Sequence, residues 1–211
     1  MFKKTLEKTP KIILASSSKA REKILKKAGF DFQIIPSNID ETPEAQELAK
    51  ELVIRLAIEK ARAVSKKLPP LSQDSREQFF LIIGSDQVAD LDGEIIGKPS
   101  GYEEGLDFLM RFRGRTINFF NGLCLFHSQT QKFETRLNII ETKFRFYSQS
   151  MAENYLKKYQ PYECAGSLKV EGPGIRLIES VISQDPNSLE GLCVIDLISL
   201  LENQGYPLDS F

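Results

Sequence analysis

The sequence predicts an α/β fold in which helices flank a mixed central sheet. Short apolar runs at residues 12–15 and 79–83 are typical of strands that are buried on both faces. Between residues 48 and 64 apolar side chains recur at helical spacing, which predicts a long amphipathic helix. Two β-rich stretches, residues 116–127 and 132–146, flank a polar turn and are expected to pair antiparallel. Strand–helix alternation followed by such a pair indicates a mixed sheet.

The first half of the chain alternates strands with helices. The run at residues 12–15 leads through three consecutive serines into a helix that ends at Gly29, because serine is a good N-cap and glycine a good C′ residue. Alternating apolar residues predict a second strand over residues 30–35. Thr42 followed by Pro43 predicts the start of the long helix, which is expected to extend to about residue 67.

The second half begins with the strongest strand prediction, residues 79–83, and this strand is expected to end abruptly at residues 84–87. Asp92-Gly93 lies between two short β-rich runs and is a hairpin signal. Ser150 and Glu153 form a capping box that predicts a helix to about residue 159. The remaining predicted elements are a helix over about residues 102–112, a strand after the glycine-rich segment 166–174 and a closing helix over residues 193–202.

The length of the chain, 211 residues, fits one large domain as well as two small ones, at roughly 150 residues per domain. Residues 68–78 contain prolines, serines and charges and form the best loop candidate. This loop lies within the α/β pattern, so we interpret it as an excursion and expect a single domain over residues 1–211. Residues 1–10 are expected to be flexible.

Composition excludes several classes of protein. The formal net charge is −1, which argues against a general affinity for nucleic acid or for anionic membranes. The longest apolar runs are far shorter than the roughly 20 residues that a membrane span requires. The basic N-terminus is not followed by the apolar region of a secretory signal, so we expect a cytoplasmic protein.

Cysteine and histidine usage argues against thiol, zinc and serine–histidine chemistry. The three cysteines, Cys124, Cys164 and Cys193, are far apart and form no C-x-x-C pair, so buried free thiols are expected. His127 is the one histidine in the sequence, and it follows an apolar stretch and precedes a polar turn. We interpret it as a structural residue at a strand end.

A hydroxyl-rich and basic segment lies where the first strand meets the first helix. Ser16, Ser17, Ser18, Lys19 and Arg21 place three hydroxyls and two cations at a predicted helix N-terminus. Free N–H groups and the helix dipole make such an end suitable for phosphate. Ordinary serine capping is the alternative. The segment matches neither a P-loop nor a dinucleotide-binding fingerprint.

Carboxylates and lysines elsewhere suggest where chemistry occurs. Asp86 follows a buried strand, where ligands commonly bind in open α/β sheets, and it could bind a divalent cation or act as a general base. A loop aspartate bonded to its own turn is the alternative. Lys98, between glycine and proline, could direct a compact charge at a phosphoryl group. Glu41 and Lys60 add a carboxylate and a cation, although each alone is typical of a solvated surface.

Together these segments resemble the Maf family of nucleotide pyrophosphatases. The resemblance extends from about residue 12 to residue 205, in the order and approximate spacing of the family. The matching motifs are Leu14-Ala15-Ser16-Ser17-Ser18-Lys19-Ala20-Arg21, Ile39-Asp40-Glu41-Thr42, Glu59-Lys60-Ala61, Gly84-Ser85-Asp86-Gln87-Val88, Gly97-Lys98-Pro99, Asn121-Gly122-Leu123, Glu141-Thr142 and Cys164-Ala165-Gly166-Ser167-Leu168-Lys169-Val170-Glu171-Gly172.

The resemblance implies a fold, a reaction and a set of site residues. The implied fold is elongated, similar to inosine triphosphate pyrophosphatases (Ham1-like), with a cleft between two lobes. The implied reaction is hydrolysis of a nucleoside triphosphate between the α- and β-phosphates, with Mg²⁺ or Mn²⁺ as cofactor. Its implied site comprises Asp86 as general base, Glu41, Lys60 and Lys98 as further catalytic residues, Ser16, Ser18 and Arg21 as phosphate-binding residues, and Glu41 with Asp86 as metal ligands.

Within the family, the motifs around residues 86–87 and 166–172 look like the subgroup that acts on 7-methyl-GTP. Ala20, Gln87 and Glu171 are then the expected specificity residues, and Ala20 stands where this subgroup can carry an aromatic side chain that would stack on the base. Two alternatives are a broader or pyrimidine (dTTP/UTP) triphosphate pyrophosphatase and a non-catalytic, nucleotide-binding regulator of septum formation. A nucleotide is the expected small-molecule partner, nucleic acid and membrane are not expected, and a homodimer is possible at the level of the family.

Overall fold

A computed structural model describes residues 10–69 and 79–208, which form one mixed sheet with helices on both faces. The strands are β1 (Lys11–Leu14), β2 (Phe32–Ile34), β3 (Phe80–Leu91), β4 (Glu94–Ile96), β5 (Thr116–His127), β6 (Phe133–Phe144) and β7 (Ile178–Ile182). The helices are α1 (Lys19–Lys27), α2 (Ala49–Ser65), α3 (Tyr102–Phe112), α4 (Gln149–Tyr159) and α5 (Val194–Asn203). The predicted α/β fold class is confirmed.

The sheet combines a parallel part with an antiparallel part. Its strand order is β2-β1-β3-β5-β6-β7, and β4 pairs with the end of β3. β1 pairs in parallel with β2 and β3, and the pairs β3–β5, β5–β6 and β6–β7 are antiparallel. The long central strands β3 and β5 therefore join the parallel and the antiparallel parts of the sheet.

The prediction that the strand beginning near residue 79 ends at residues 84–87 is wrong. β3 continues to Leu91, and its polar residues keep the ladder with β5: Ser85 pairs with Leu123, and Asp86 pairs with Gly122. The change from apolar to polar residues therefore does not end the strand. The polar side chains are accommodated within it because they have buried polar partners on neighbouring elements. The predicted hairpin at Asp92-Gly93 is confirmed.

The predicted start of the long helix at Thr42-Pro43 is also wrong, because α2 begins at Ala49. The Asp40 carboxylate accepts hydrogen bonds from the Thr42 amide (2.9 Å) and hydroxyl (2.6 Å), which holds this segment in a turn. The Glu51 side chain accepts a hydrogen bond of 3.2 Å from the Leu48 amide and so caps the N-terminus of α2. Residues 40–48 are consequently a loop, and Glu41 lies on it.

Two smaller differences concern element boundaries. The second strand is confined to Phe32–Ile34, and the cap of α4 is Ser148 in place of Ser150, since the Ser148 hydroxyl accepts from the Met151 amide at 3.2 Å. The other predicted helices and strands are confirmed within a few residues. The predicted flexible N-terminus lies, apart from Pro10, outside the described residues, and so does most of the predicted loop excursion, residues 70–78.

The apolar core lies on both faces of the sheet. α1 and α5 cover one face of β1 and β3, with Leu25, Leu197 and Leu201 among the buried contacts. α2 covers the opposite face, and α3 with α4 pack around the far ends of β5 and β6. In the described part of the chain no helix is both long and apolar enough to cross a membrane. The single-domain assignment of residues 1–211 stays a prediction.

Two glycines set how closely α2 approaches the sheet. A Cβ at Gly84 of β3 would lie 1.9 Å from the Ala57 carbonyl oxygen, and a Cβ at Gly122 of β5 would lie 2.2 Å from the Val53 carbonyl oxygen. No side chain fits at either position without moving the helix. Asp86 points to the same face as Gly84, and Lys60 follows Ala57 by about one turn. The close packing therefore brings Lys60 to Asp86.

We expect Gly84→Ala and Gly122→Ala each to lower the free energy of unfolding by about 3 kcal/mol or more, the upper end for overpacking a filled core. Urea unfolding followed by far-UV circular dichroism would measure the loss. Gly101→Ala is the matched control, since a Cβ there has no heavy atom within 4 Å. A Gly84→Ala variant as stable as the Gly101→Ala variant would contradict the close packing.

Candidate active site

A cleft of about 800 Å³ runs along the sheet beside α1 and α2. It is lined by the residues around the start of α1, the 36–43 loop, one face of α2, the middle of β3, and the segments 97–98, 163–171 and 189–191. The structure brings all of the predicted site residues into this one cleft: Ser16, Ser18, Ala20, Arg21, Glu41, Lys60, Asp86, Gln87, Lys98 and Glu171.

A buried ammonium lies between two carboxylates in the cleft. The Lys60 Nζ is 2.6 Å from the Asp86 Oδ1 and 2.8 Å from the Glu41 Oε1. The side chains of Lys60 and Asp86 are 5% and 8% exposed, whereas that of Glu41 is 46% exposed. The pair Lys60–Asp86 is therefore the fixed part of this triplet, and Glu41 closes it from the solvent side.

The charges around Glu41 control its protonation. Partial burial alone would raise its pKa, but the hydrogen bond and the charge of Lys60 outweigh that effect, aided by Lys98 and Arg21. The net result is that the pKa of Glu41 lies below its usual value. Glu41 is consequently ionised at neutral pH.

The carboxylates of Glu41 and Asp86 provide oxygen donors of the kind that Mg²⁺ and Mn²⁺ prefer. Both contact the same ammonium, so they lie close enough to share one cation. Across residues 10–69 and 79–208, no three or more His, Cys, Asp or Glu side chains form a group that could hold a metal ion. A cation bound here would need its other ligands from water or from a substrate.

The start of α1 provides a second cationic element. Ser18 caps the helix, and its hydroxyl accepts from the Arg21 amide at 3.4 Å. The Ser16 hydroxyl accepts from the Ser18 amide at 3.1 Å and from the Arg21 Nη1 at 3.3 Å. Burial lowers the pKa of Arg21 while Asp86 and Glu41 counteract it, and a guanidinium stays charged in any case. Arg21 therefore brings a fixed positive charge to the helix N-terminus.

Lys98 enters the cleft from the segment that follows β4. The Gly97 carbonyl accepts a hydrogen bond of 2.9 Å from the Gly166 amide, which fixes this segment against residues 163–171. Lys98 is exposed and adds positive charge on the side of Glu41. Its position on two linked loops fits a cation that meets a ligand from the open side of the cleft.

A loop from Ser183 to Gly191 forms one wall of the cleft and is held by buried polar side chains. Gln87 Nε2 donates to the Ser188 carbonyl at 3.0 Å, and Asn121 Nδ2 donates to the same oxygen at 3.2 Å. Arg21 Nε donates to the Gly191 carbonyl at 2.8 Å, and the Ser85 hydroxyl donates to it at 3.2 Å. This wall is consequently tied to β3, to β5 and to α1.

Sequence reasoning predicted neither the wall nor the anchoring role of Ser85 and Asn121. Ser85 and Asn121 are fully buried polar residues within apolar strands, and that pattern is the signal that could have marked them as structural anchors. Glu190, which lines the cleft from the same wall, was also missed. Its only sequence signal is a charge next to Gly191, which is a weak one.

An acidic group, Glu163, Glu171 and Glu190, faces the same cleft. The segment that carries Glu171 is ordered by Tyr155, whose hydroxyl donates to the Ser167 carbonyl (3.1 Å) and accepts from the Lys169 amide (2.9 Å). Glu171 itself is exposed, whereas Glu190 is half-buried. The cleft thus contains carboxylates that do not pair with the lysine–arginine cluster.

The structural role expected for His127 is confirmed, and the buried free thiols expected at the cysteines are found at Cys124 and Cys193 but not at Cys164, which is partly exposed. The His127 ring stacks on Phe79 at 4.1 Å, and its Nδ1 accepts from the Gln129 and Thr130 amides. Cys124 and Cys193 are buried free thiols, and burial raises the pKa of the partly exposed Cys164 to about 11. None of the three is a thiolate nucleophile at neutral pH, since burial also raises the pKa values of Cys124 and Cys193.

Comparison with known proteins identifies the family. The sequence profile described as "Maf-like protein" matches residues 11–204. The chain belongs to the Maf family. Among curated relatives, the protein named 7-methyl-GTP pyrophosphatase in Nitrosococcus oceani is 43% identical over 199 residues, covering 94% of this chain and 96% of the relative. The Vibrio cholerae protein of the same name is 43% identical over 194 residues, covering 92% and 95%.

The Maf resemblance seen in the sequence motifs is thereby confirmed over nearly the whole chain. Among solved structures, the Ham1 protein of Staphylococcus aureus aligns with a TM-score of 0.45 and 12% identity, covering 92% of this chain and 99% of that one. A TM-score and an identity this low support no conclusion about this Maf protein.

We expect Lys60→Met to lower the free energy of unfolding by about 3–5 kcal/mol, because it leaves the buried Asp86 carboxylate without its counter-charge. Adding Asp86→Asn removes that charge and is expected to restore about 1–3 kcal/mol. Urea unfolding of both single variants and of the double variant measures the coupling. Strictly additive effects would show that the two side chains do not form the pair described here.

Proposed function

We propose that this Maf protein hydrolyses a nucleoside triphosphate between the α- and β-phosphates, releasing a nucleoside monophosphate and pyrophosphate. The observation that carries the proposal is the buried Lys60–Asp86 pair with Glu41, placed in one cleft with Arg21 and the N-terminus of α1. We further propose 7-methyl-GTP as the preferred substrate, supported by the names of the relatives from Nitrosococcus oceani and Vibrio cholerae.

The cationic part of the cleft suits a triphosphate. Arg21, Lys60 and Lys98 line it from three different segments, and the free amides of α1 add a partial positive charge. Phosphoryl transfer is catalysed mainly by positioning and by charge neutralisation, which this arrangement provides before the substrate arrives. Ser16 and Ser18 add hydroxyls at the same helix end.

Asp86 is the residue that we assign to the attacking water. Its Oδ1 is held by Lys60, whereas its Oδ2 accepts no hydrogen bond from the described residues. The free oxygen can therefore accept a proton from water while Lys60 keeps the carboxylate oriented. Lys60 thus acts as a positioning residue for Asp86 and, once a substrate displaces part of this contact, as a phosphate ligand.

Glu41 and Asp86 are the residues that would hold a divalent cation. Their carboxylate oxygens lie close together, as their contacts with one ammonium show, and are donors that suit Mg²⁺ or Mn²⁺, with phosphate oxygens completing the ligand set. Bound there, the cation would neutralise charge on the phosphates as a Lewis acid. A pure phosphate-binding module would gain nothing from two carboxylates beside a polyanion, so this pair favours an enzyme over a non-catalytic regulator.

Glu171 is the residue that we assign to base recognition. A carboxylate can accept two hydrogen bonds, which matches the adjacent N1–H and N2–H donors of a guanine edge. Uracil and thymine present one donor between two carbonyl acceptors and would face a carboxylate unfavourably. Ala20 and Gln87 lie in the same cleft, and Gln87 donates its amide to the wall carbonyl of Ser188.

We expect pyrophosphate release from 7-methyl-GTP with Mg²⁺ or Mn²⁺ to exceed that from GTP, UTP and dTTP, and to stop with EDTA. Asp86→Asn should lower kcat by about 10²–10⁴, the range for a positioned acid–base group. Ion chromatography separates pyrophosphate from phosphate release.

Asp90→Asn is the control for that experiment. It is the same substitution four residues along β3, and the asparagine oxygen can keep the hairpin hydrogen bond to the Gly93 amide. Wild-type turnover in the Asp86→Asn variant would refute its catalytic role. Release of pyrophosphate from none of the four nucleotides by the wild-type protein would favour the regulatory alternative.

We expect Glu171→Gln to lower kcat/KM for 7-methyl-GTP and to narrow its lead over UTP, since the amide no longer presents two acceptors to the base. Steady-state kinetics with both nucleotides tests this, with Glu103→Gln on the outer surface of α3 as a control for net charge. An unchanged ranking of substrates would contradict the assignment of Glu171 and leave that of Asp86 intact.

A further inference from the structure

Glu190 is a half-buried carboxylate that faces the cleft and has no assigned role. It lies at the end of the short 3₁₀ turn Ser188–Glu190, next to the Gly191 carbonyl that Arg21 holds. Among the described residues, its side chain forms no hydrogen bond and no ion pair. Lys27 on α1 and Glu171, which also lines the cleft, are the charged groups that influence it.

The backbone on both sides of Glu190 is fixed. Gln87 holds the carbonyls of Ser188 and Leu189 at 3.0 and 3.5 Å, and Arg21 with Ser85 holds the carbonyl of Gly191. The buried Asp185 carboxylate anchors the start of the same wall by accepting from the Ile195 amide at 2.7 Å. An unpaired carboxylate on an anchored backbone is a preorganised feature of the cleft.

No aromatic side chain lines the described part of the cleft, and the whole sequence lacks tryptophan. A cationic ring is often bound by the face of an aromatic side chain, but the described lining offers none. Ala20 contributes only a methyl group. Recognition of a positively charged base in this cleft must therefore come from carboxylates.

We propose that Glu190 is a second specificity-determining carboxylate, which acts with Glu171 to select a positively charged, N7-alkylated guanine over the uncharged base. This inference rests on the proposed function, because it assigns a residue to base selection in that same cleft. It gives a role to two carboxylates that line the cleft and influence each other electrostatically.

The physical reason is relief of like-charge repulsion. Burial and the neighbouring Glu171 both raise the pKa of Glu190, with Lys27 partly opposing them, so the two carboxylates repel each other. A cationic base relieves that repulsion and gains attraction to both groups. An uncharged guanine of nearly the same shape neither relieves the repulsion nor gains this attraction. The resulting difference in binding free energy between the two ligands is the source of the selectivity.

The test compares two nucleotides that differ by one methyl group and one charge. We expect Glu190→Gln to lower kcat/KM for 7-methyl-GTP on the order of tenfold, the size of a partly screened charge–charge contact, and to leave GTP unchanged or improved. The ratio of the two kcat/KM values is the decisive quantity. Glu171→Gln/Glu190→Gln should lose nearly all of the remaining preference.

Glu103→Gln serves as the matched control, since it removes the same charge from the exposed surface of α3. Urea unfolding of Glu190→Gln verifies that the wall remains folded. If Glu190 only stabilises the loop, both substrates will lose activity by the same factor, and the proposal is overturned. An unchanged ratio with unchanged rates overturns it as well.

A binding experiment separates this inference from the proposed function. Calorimetric titration with 7-methyl-GMP and with GMP needs no turnover, and Glu190→Gln should reduce the preference for the methylated ligand. Wild-type protein that prefers 7-methyl-GMP and loses that preference in the variant supports the role of Glu190 even if no pyrophosphate is released. Equal binding of both ligands by the wild-type protein refutes it.

Discussion

The close contact of α2 with the middle of the sheet is the constraint on which the site depends. Without Cβ atoms at Gly84 and Gly122, the helix backbone lies directly on β3 and β5. This contact removes water from the space between Lys60 and Asp86, so their ion pair is formed in a buried environment where electrostatic interactions are strong. A side chain at either glycine would force the helix away from this position.

The strand β3 contributes both to the apolar core and to the candidate active site. Its first half is apolar and forms the core with β1, whereas Ser85, Asp86 and Gln87 point alternately to opposite faces. Asp86 faces α2, while Ser85 and Gln87 bond the wall loop on the other side. One strand thus fixes both the Asp86 carboxylate, to which we assign the catalytic role, and the wall of the cleft at a central position of the sheet.

Sequence patterns predicted the elements whose signals are local. Apolar runs identified β1 and β3, because a strand buried on both faces requires consecutive apolar residues. Asp92-Gly93 identified the hairpin, because its tight turn requires residues that adopt left-handed backbone conformations. They failed at the end of β3 and the start of α2, where cross-strand partners and the Asp40 turn decide the boundary. The site residues that the family motifs predicted all line one cleft. The wall that carries Glu190, by contrast, is held by hydrogen bonds between residues more than 65 positions apart in sequence, such as those from Asn121 and Gln87 to Ser188. No local sequence pattern indicates such contacts.

The arrangement of charges in the cleft is compatible with the proposed polyanionic substrate, although the cleft contains several carboxylates. Glu41 and Asp86 both contact Lys60, and both also act electrostatically on Arg21, so two positive charges offset their two negative charges. In the part of the chain that the structure describes, the side chains of Glu171 and Glu190 form no ion pair, so they would repel a triphosphate that entered in the wrong orientation. A ligand with a negative tail and a positive ring fits in one direction only. In the proposed function, the carboxylates that disfavour the reversed orientation also favour the charged base, so orientation and selectivity would have a common electrostatic cause.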